Sequence, residues 1–379
     1  MTGKRIGFDG RYINDRYHGV GRYAFGLLEA LSRISPEHTF VVFRGRGLDQ
    51  RFDWKILTER PNIEFCSGPW PLYWPQEQLI WPFLIRQFRI DLFHSPFIIA
   101  PFFTSKRLPI LITIHDLIFD RYPQYMPQSW SFPYYRLLMH LGTRRAKKIF
   151  AVSQSTARDL RIIYGVSENK ILVVSEGIDG DQWFDNAIHA SRTIRQKYDL
   201  LRPYILTVGA RRPHKNFGQL VEAFSRICHQ LPHELVFVGP PDPRFPDDAK
   251  MAASHFSING RARFLDWIPE KDLPAIYSQA DLVILPSIIE GFGLPALEAM
   301  ASGTAVMAAN NSSFPEIIGS AGVLFDPNNV DQMTDVLLRT LLDSHQRKLL
   351  EQAGRQRARL CTWEFVAEKI AEVYQQELK

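Results

Sequence analysis

The sequence predicts an α/β protein of two doubly wound domains, each a parallel sheet with helices on both faces. Two observations support this prediction. The chain has 379 residues and is 45% hydrophobic, which is enough for about two domains with cores of their own. Short β-branched runs alternate with helical patterns along the chain, as they do in βαβ units. We expect the two series to join near residues 180 to 200.

Thirteen runs are predicted as strands, seven in the first half of the chain and six in the second. In order they are IGFD, TFVVF, IEF, DLFH, ILITIH, IFAV, ILVV, YILTVG, ELVFVG, RFLD, DLVILP, TAVMAA and GVLF. Ligands of open parallel sheets bind beyond the carboxyl ends of the strands, so we expect a substrate in a cleft between the two sheets.

The cysteines and the amino terminus indicate a reducing compartment. Cys66, Cys228 and Cys361 are far apart, odd in number and without the spacing of a metal site. The chain enters its first strand almost at once, without the pattern of a signal peptide, and it has no uncharged apolar stretch of about 18 residues. These features predict a cytoplasmic protein.

Positive charge is concentrated in the first half of the chain. Residues 1–180 contain 24 Lys and Arg against 16 Asp and Glu, a net charge of +8, whereas the remainder carries −3. The densest clusters are 106–107 and 144–148, and the segment 68–89 interleaves aromatic and basic side chains. The charge is either a solvated face or a surface that attracts lipid headgroups or a phosphorylated acceptor. No zinc knuckle, RRM-type motif or helix-turn-helix pattern accompanies it, so we expect no nucleic-acid partner.

The stretch HGVGRYAFG contains Gly19-x-Gly21-x-x-Ala24, a spacing found in dinucleotide-binding proteins. That motif needs the glycines directly after the first strand and an acid about 20 residues later. Here the first strand ends at Asp9, a loop precedes the glycines, and the next strand runs into Arg44. The sequence therefore argues against an NAD site and leaves a glycine turn before an amphipathic helix as the alternative.

The most informative stretch is EGFGLPALE, from Glu290 to Glu298, which follows the strand DLVILP. Its glycines permit a sharp turn and Pro295 suits the first turn of a helix, so a helix is predicted to start near Gly293. The free N–H groups and positive dipole of that helix end would bind a diphosphate without a metal. The two glutamates could accept hydroxyl hydrogen bonds on either side of it. An ordinary strand–loop–helix with two surface acids is the alternative.

A second constellation, GARRPHKNF, also follows a strand and precedes a helix. It places Arg211 and Lys215 at the carboxyl edge of the same sheet, where both cations could meet the same diphosphate. A merely basic helix start is disfavoured, because cations there oppose the helix dipole. In the first domain, His115 follows the strand ILITI at a carboxyl edge and is either structural or faces the cleft.

Taken together, these residues resemble the retaining glycosyltransferases of the GT-B fold in family GT4, over essentially the whole chain. The matching pieces are GVGRY, the pair His115-Asp116, AVSQST, EGID, VGARRPHKN, RFLDWIPEKDLPAIY, ADLVILPSIIEGFGLPALEAMASG, SSFPEIIGSAGVLFDP and a terminal helix opened by TWE. The resemblance implies two Rossmann-like domains facing each other across a cleft. The acceptor-binding domain would be 1–182, with helix 362–379 packed back on it, and the sugar-nucleotide-binding domain 183–361.

The resemblance also implies a role for each matching residue. Arg211 and Lys215 would neutralise the diphosphate, and Glu298 would hold the ribose. Glu290 would bind the transferred sugar, and His115 would lie at the reacting face near the C6 hydroxyl. The other implied donor-binding positions are the backbone of Phe292, Gly293 and Leu294 at phosphate and sugar, the segment Trp267 and Ile268 at the nucleobase, Gly209, and Gly19 with Gly21, whose loop would approach the phosphates and sugar.

Two departures from the family pattern are visible in the sequence. EGID replaces the more usual Asn-Gly version of that turn, and Arg211 lies two residues after Gly209, where many relatives have the arginine one residue after the glycine. Asp179-Gly180-Asp181 is a literal D-x-D, but we expect no metal there, because cations and helix dipoles would already supply the charge.

The implied chemistry is sugar transfer with retained anomeric configuration, through an oxocarbenium-like transition state and without a metal or other cofactor. The likeness to bacterial polysaccharide mannosyltransferases favours GDP-mannose as donor, with UDP-glucose or UDP-N-acetylglucosamine as alternatives. The acceptor would be a saccharide or a lipid-linked saccharide, the latter with peripheral association of the enzyme at the inner face of the membrane. A sugar-nucleotide epimerase of the same fold and a non-catalytic two-lobed sugar-binding module are the other functional hypotheses. The module would have no need for a diphosphate site.

Overall fold

The computed structural model describes residues 3–14, 18–45, 52–68, 75–126, 128, 131–185 and 191–379. Contacts divide the chain into two compact units. The N-terminal unit comprises Met1–Gly177 and Thr362–Lys379, and the C-terminal unit comprises Ile178–Cys361. The chain therefore crosses between the units after Gly177, whereas the sequence placed the first boundary after residue 182.

Every strand predicted for the N-terminal unit is present. The strands are β1 (Arg5–Asp9), β2 (Thr39–Arg44), β3 (Ile63–Ser67), β4 (Leu92–Ser95), β5 (Ile110–Ile114), β6 (Lys148–Ala151) and β7 (Ile171–Val173). Within the described residues they form one parallel sheet in the order β3-β2-β1-β4-β5-β6-β7. This order, in which the chain reverses direction across the sheet after β3, is that of a doubly wound fold.

Helices cover both faces of this sheet. Alternate strand residues point to opposite faces, so that Phe40 and Val42 enter one apolar core whereas Val41 and Phe43 enter the other. The helices up to the first crossing are α1 (His18–Ile34), α2 (Lys55–Thr58), α3 (Glu77–Gln87), α4 (Ile118–Arg121), α5 (Ser131–Arg145) and α6 (Gln154–Tyr164).

The C-terminal unit repeats the architecture with the six predicted strands. They are β8 (Tyr204–Val208), β9 (Glu234–Val238), β10 (Ala262–Leu265), β11 (Leu282–Leu285), β12 (Val306–Ala309) and β13 (Val323–Phe325). All pairs are parallel, and the order is β10-β9-β8-β11-β12-β13. The helices are α7 (Ser191–Lys197), α8 (Phe217–Ile227), α9 (Asp248–His255), α10 (Leu273–Ser278), α11 (Leu294–Ser302), α12 (Phe314–Ile318), α13 (Val330–Leu342) and α14 (Ser344–Ala358).

The final helix, α15 (Trp363–Glu377), returns to the N-terminal unit and packs against α1. A Cβ atom at Gly26 would lie 2.3 Å from a ring atom of Trp363, and one at Gly177 would lie 2.7 Å from the same side chain. Further along α15, the hydroxyl of Tyr374 lies 2.6 Å from Nδ1 of His94 in β4. Glycine at two positions therefore makes room for the tryptophan that anchors the chain end.

Across the described residues, no helix has the combination of length and apolar character needed to cross a membrane.

Candidate active site

The two loops that carry the expected donor-binding residues leave neighbouring strands of the C-terminal unit. The strand order reverses between β8 and β11. These two strands are neighbours in the sheet, and Ile205 pairs with Leu282. After β8 the chain reaches Lys215 through the 3-10 turn Pro213–Lys215, and after β11 it reaches Glu290. The carboxyl edge at such a reversal is the usual ligand site of a doubly wound sheet.

Lys215 and Glu290 form an ion pair at this edge. The Nζ atom of Lys215 lies 2.5 Å from Oε1 of Glu290, and the two side chains are only 14% and 13% exposed. The stem of Lys215 lies over Gly209, where a Cβ atom would come 3.1 Å from Cε of the lysine. Gly209 also has a φ of 147°, which favours glycine. The glycine after β8 therefore clears the path of Lys215 toward Glu290.

The surroundings of Glu290 keep it charged. Burial alone would raise the pKa of this carboxyl group, but the ammonium of Lys215, with a hydrogen bond from Ser287, holds that pKa below its ordinary value. His214 lies beside the same pair, and burial together with the charge of Lys215 lowers its pKa to about 3. At neutral pH the site therefore combines three groups: a lysine cation, a carboxylate and a neutral histidine.

The loop that carries Glu290 is braced by residues after β12. Ser312 Oγ accepts a hydrogen bond from the amide of Glu290 at 3.0 Å, and its hydroxyl lies 2.5 Å from the carbonyl oxygen of the same residue. The Ser313 hydroxyl donates to the carbonyl of Phe292 at 2.5 Å, and the Asn311 side chain donates to the carbonyl of Ile288 at 2.8 Å. Both serines belong to the motif SSFPE, but the sequence alone did not indicate that they hold this loop.

Helix α11 begins as predicted. Gly293 is its N-cap with a φ of 101°, Leu294 is its first residue and Pro295 lies in its first turn. A Cβ atom at Gly293 would come 2.8 Å from the ring of Phe314, so both the backbone angle and the packing select glycine. The helix end, with backbone N–H groups that lack intrahelical partners, follows the loop of Glu290 and Phe292.

Glu298 lies further along α11 and is almost completely buried. Its Oε2 atom accepts a hydrogen bond from the hydroxyl of Tyr277 at 2.6 Å, and Tyr277 packs edge-on against Trp183. Tyr277 is the last residue of the motif RFLDWIPEKDLPAIY, but the sequence alone did not indicate a function for it. The role of Glu298 at the ribose stays a prediction.

Arg211 makes a set of contacts that the sequence did not indicate. Its side chain is fully buried, and its guanidinium donates to Asp247 at 2.9 Å, to Asp266 at 2.6 Å and to the carbonyl of Gly239 at 2.5 Å. The guanidinium also lies 5.3 Å from the ring centroid of Phe264. These bonds engage all three guanidinium nitrogens. They favour a structural role for Arg211 over the predicted neutralisation of the diphosphate.

The segment expected at the nucleobase follows β10. Trp267 is 75% exposed, whereas Ile268 beside it is buried. An exposed indole next to a buried anchor can provide a stacking surface for a base. Its contact with a nucleobase stays a prediction.

In the N-terminal unit, His115 follows β5 as expected and is buried. Its Nδ1 atom lies 2.8 Å from Oε1 of Glu176, and its Nε2 atom lies 3.0 Å from the carbonyl oxygen of Pro96. Tyr23 of α1 packs edge-on against the imidazole at 4.7 Å between ring centroids. Glu176 is the first residue of EGID, the turn in which the sequence departs from the family pattern, so a signal for it was present.

The expected loop position of Gly19 and Gly21 is wrong. Both lie in the first turn of α1, because the apolar face of this helix is long enough to outweigh the low helix propensity of two glycines. A Cβ atom at Gly21 would lie 3.0 Å from the carbonyl oxygen of Tyr12, so this glycine lets the helix approach the preceding segment. At Gly19 a Cβ atom would meet nothing within 4 Å. A contact of either glycine with a donor stays a prediction.

The D-x-D sequence contributes to a local turn. An Asp179 carboxylate oxygen accepts a hydrogen bond from the amide of Gln182 at 3.3 Å, and the side chain of Asp181 lies outside the described part of the structure. Among the side chains that the structure describes, no group of three His, Cys, Asp or Glu is arranged to hold a metal ion.

Two family descriptions match the chain. Residues 17–182 match Glycosyltransferase Family 4, and residues 191–357 match Glycosyl transferases group 1. O-antigen chain mannosyltransferase B of Escherichia coli is 26% identical over 372 residues, which cover 94% of this chain and 95% of that relative. MMP alpha-(1->4)-mannosyltransferase of Mycolicibacterium hassiacum is 28% identical over 240 residues, which cover 62% of this chain and 55% of that relative.

Solved structures share the fold over the full length. A glycosyltransferase from Rickettsia africae has a TM-score of 0.77 at 21% identity and covers 100% of both chains. HepE from Anabaena, solved in complex with UDP-glucose, has a TM-score of 0.75 at 16% identity and covers 98% of this chain and 99% of its own. The predicted fold class, α/β with two Rossmann-like domains of the GT-B type, is confirmed.

Proposed function

The chain belongs to the glycosyltransferases of family 4 and group 1, and we propose that it is a retaining enzyme that transfers mannose from GDP-mannose to a saccharide acceptor in polysaccharide or glycolipid biosynthesis. The choice of mannose is supported by the relative from Escherichia coli, an O-antigen chain mannosyltransferase that matches over nearly its whole length. UDP-hexoses remain the alternative donors.

The observation that carries this proposal is the ion pair of Lys215 and Glu290 beside the first turn of α11. The ammonium group and the helix end would stabilise the negative charge that develops on the leaving diphosphate. The Glu290 carboxylate, fixed by the lysine and by the Ser312 brace on its backbone, would accept hydrogen bonds from sugar hydroxyls. A bound donor would bring the negative charge of its diphosphate, and the Lys215 ammonium would then donate hydrogen bonds to both a phosphate oxygen and the Glu290 carboxylate.

We also propose that turnover needs no metal. A cation and a helix N-terminus at the carboxyl edge of β8 and β11 supply positive charge where a divalent ion would otherwise act. Activity that persists in excess EDTA supports this proposal, whereas loss on chelation and recovery with Mg²⁺ or Mn²⁺ would overturn it.

The acceptor is proposed to be lipid-linked, with the enzyme at an anionic membrane surface. Helix α3 supports this choice: Leu79 and Phe83 are 76% and 67% exposed, and the side chains of Arg86 and Arg89 are exposed close by. On its other side, Glu77 of the same helix is held by Arg11 at 2.6 Å. An apolar face flanked by arginines fits an interface of acyl chains and anionic headgroups.

The basic cluster 144–148 is less suited to this task. Lys148 donates to the carbonyl oxygen of Asn169 at 2.9 Å, and Arg145 donates to the carbonyl oxygen of Ser105 at 2.7 Å. These cations bind the protein's own backbone. Residues 69–74 of the basic segment, which include the aromatic residues Trp70, Tyr73 and Trp74, lie outside the described residues.

The proposed activity is tested with the purified full-length chain, mannose-terminated oligosaccharides, and GDP-α-mannose, UDP-glucose or UDP-N-acetylglucosamine. The expected product from GDP-mannose is one hexose heavier by mass spectrometry and carries an α-anomeric proton signal in NMR. A β-linked product would overturn retention. Conversion of the sugar nucleotide into its epimer without acceptor would establish an epimerase. Binding of the donor without turnover would establish a sugar-binding module.

A further inference from the structure

His115 has both ring nitrogens bonded to the protein, which restricts what it can do in a reaction. Nδ1 faces Oε1 of Glu176 at 2.8 Å, and Nε2 faces the carbonyl oxygen of Pro96 at 3.0 Å. The side chains of the histidine and the glutamate are 8% and 6% exposed, so water competes little for these bonds. Neither nitrogen can take a proton from a substrate unless one of these bonds breaks.

The hydrogen-bond partners determine how many protons the pair holds. A carbonyl oxygen only accepts, so Nε2 must carry a hydrogen. Nδ1 then meets a carboxyl oxygen, and a hydrogen must lie between them in one of two ways. Either His115 is an imidazolium beside the Glu176 carboxylate, or a neutral imidazole accepts from a protonated Glu176. In both cases the pair shares one proton and has no net charge.

The groups packed around this pair hold it in place without competing for that proton. Tyr23 of α1 packs against the imidazole and bonds through its hydroxyl to Thr113 of β5 at 3.1 Å. His94 of β4 bonds to the same threonine at 3.0 Å. Burial is the main cause that lowers the pKa of His94 to about 3, and the electrostatic influence of nearby His115 adds to it.

The remaining neighbours fix the backbone of His115 and complete the set of charges nearby. The Thr156 hydroxyl, at the start of α6, donates to the carbonyl of His115 at 3.1 Å. The next residue, Asp116, caps the following turn by accepting from the amide of Ile118 at 3.0 Å. Asp116, like His94 and Tyr23, is thus an ionisable neighbour of the pair.

We propose that Glu176 is a positioning residue that holds His115 in a proton-sharing pair, so that the imidazole keeps one orientation and does not act as a general base. This inference rests on the proposed glycosyl transfer for its kinetic consequences only. Removal of the Glu176 carboxyl group would leave Nδ1 without this bond, and the imidazole would then leave its position. Transfer should therefore slow when Glu176 is replaced by a residue that cannot bond Nδ1.

Two substitutions test whether His115 needs a hydrogen bond between residue 176 and Nδ1. Glu176→Gln supplies an amide N–H for Nδ1 and so keeps this hydrogen bond, and we expect near wild-type kcat. Glu176→Ala removes the bond, and we expect kcat to fall at least about tenfold with the KM for donor changed less than about twofold. Glu168→Gln is the matched control, since Glu168 is an 86% exposed glutamate of the same unit.

The direct test is NMR of the full-length chain labelled with ¹⁵N-histidine, with the His115 signals assigned by their loss in His115→Gln. At neutral pH we expect Nδ1 of the wild type to carry or share a proton. In Glu176→Gln at the same pH we expect an unprotonated Nδ1 and a protonated Nε2. Identical ¹⁵N shifts of His115 in wild type and Glu176→Gln would overturn the inference. These signals do not depend on turnover, so a wrong choice of donor or reaction would leave this test intact.

Discussion

The ammonium of Lys215 lies 2.5 Å from the carboxylate of Glu290, although the two residues are 75 positions apart in the chain. They meet because β8 and β11 are neighbours in the sheet, so that the loops after the two strands share one edge. Both side chains are largely buried, so solvent and salt screen the pair only weakly. Removing either partner would leave the other charge buried without compensation.

Lys215→Ala and Glu290→Ala should each lower kcat by on the order of 10²-fold or more, because each removes a fixed charge where negative charge develops. The double variant should be little worse than either single variant, since the two groups act as one unit. Steady-state kinetics with GDP-mannose would measure all three, with circular dichroism to verify the fold.

Arg226→Ala provides the matched control for these variants. Arg226 forms ion pairs with Glu222 and Asp331 in the same unit but is 41% exposed. Its replacement should leave kcat within about twofold, because exposed pairs contribute little. If both Lys215→Ala and Glu290→Ala retained activity within about threefold of wild type, the site assignment would be wrong.

Glu290→Gln should destabilise the protein at neutral pH but not in acid. The pKa of Glu290 lies below its ordinary value of 4.5 in the folded state, so its charged form stabilises the fold above that value. This contribution is lost as pH falls through the folded pKa, when wild type and variant become alike. The difference in Tm should therefore be constant from about pH 6 to about pH 8 and shrink below about pH 4.5. A difference that grew in acid would contradict the lowered pKa.

Arg211→Met should affect stability more than catalysis. The guanidinium joins Asp247, Asp266 and a backbone carbonyl, so its loss should lower the free energy of unfolding by at least about 2 kcal/mol. We expect kcat per folded molecule to fall less than about tenfold. Urea denaturation and kinetics would be measured on the same preparations. A stable variant with the kinetic defect of Lys215→Ala would instead place Arg211 at the diphosphate, as the family resemblance implies.

Binding to vesicles should depend on the exposed face of α3. We expect sedimentation with anionic but not neutral liposomes, reversal by high salt, and loss of binding in Leu79→Ser combined with Phe83→Ser. Arg86→Glu should weaken binding to anionic vesicles, whereas Arg144→Glu with Lys148→Glu should weaken it less. Equal sedimentation with anionic and neutral vesicles at low salt would indicate that this charge is only solvated and that the acceptor is a soluble saccharide.

Much of the architecture could be predicted because it is encoded locally. The strand runs are apolar and β-branched, and the turns between them contain glycine, proline and polar residues, so all thirteen strands and the start of α11 near Gly293 were correctly assigned. Lys215, Glu290 and His115 could be chosen individually because each follows an apolar strand at its carboxyl end.

The sequence alone thus determined the two α/β sheets, the family resemblance and the chemical types available at the strand ends. The tertiary structure decided which of those groups meet: Lys215 with Glu290, His115 with Glu176, and Arg211 with Asp247 and Asp266. It also extended α1 over Gly19 and Gly21, where local propensity indicated a turn. The reason is that strand order and burial are set by packing between distant segments, and a side chain's partners follow from that packing, which residue spacing along the chain does not specify.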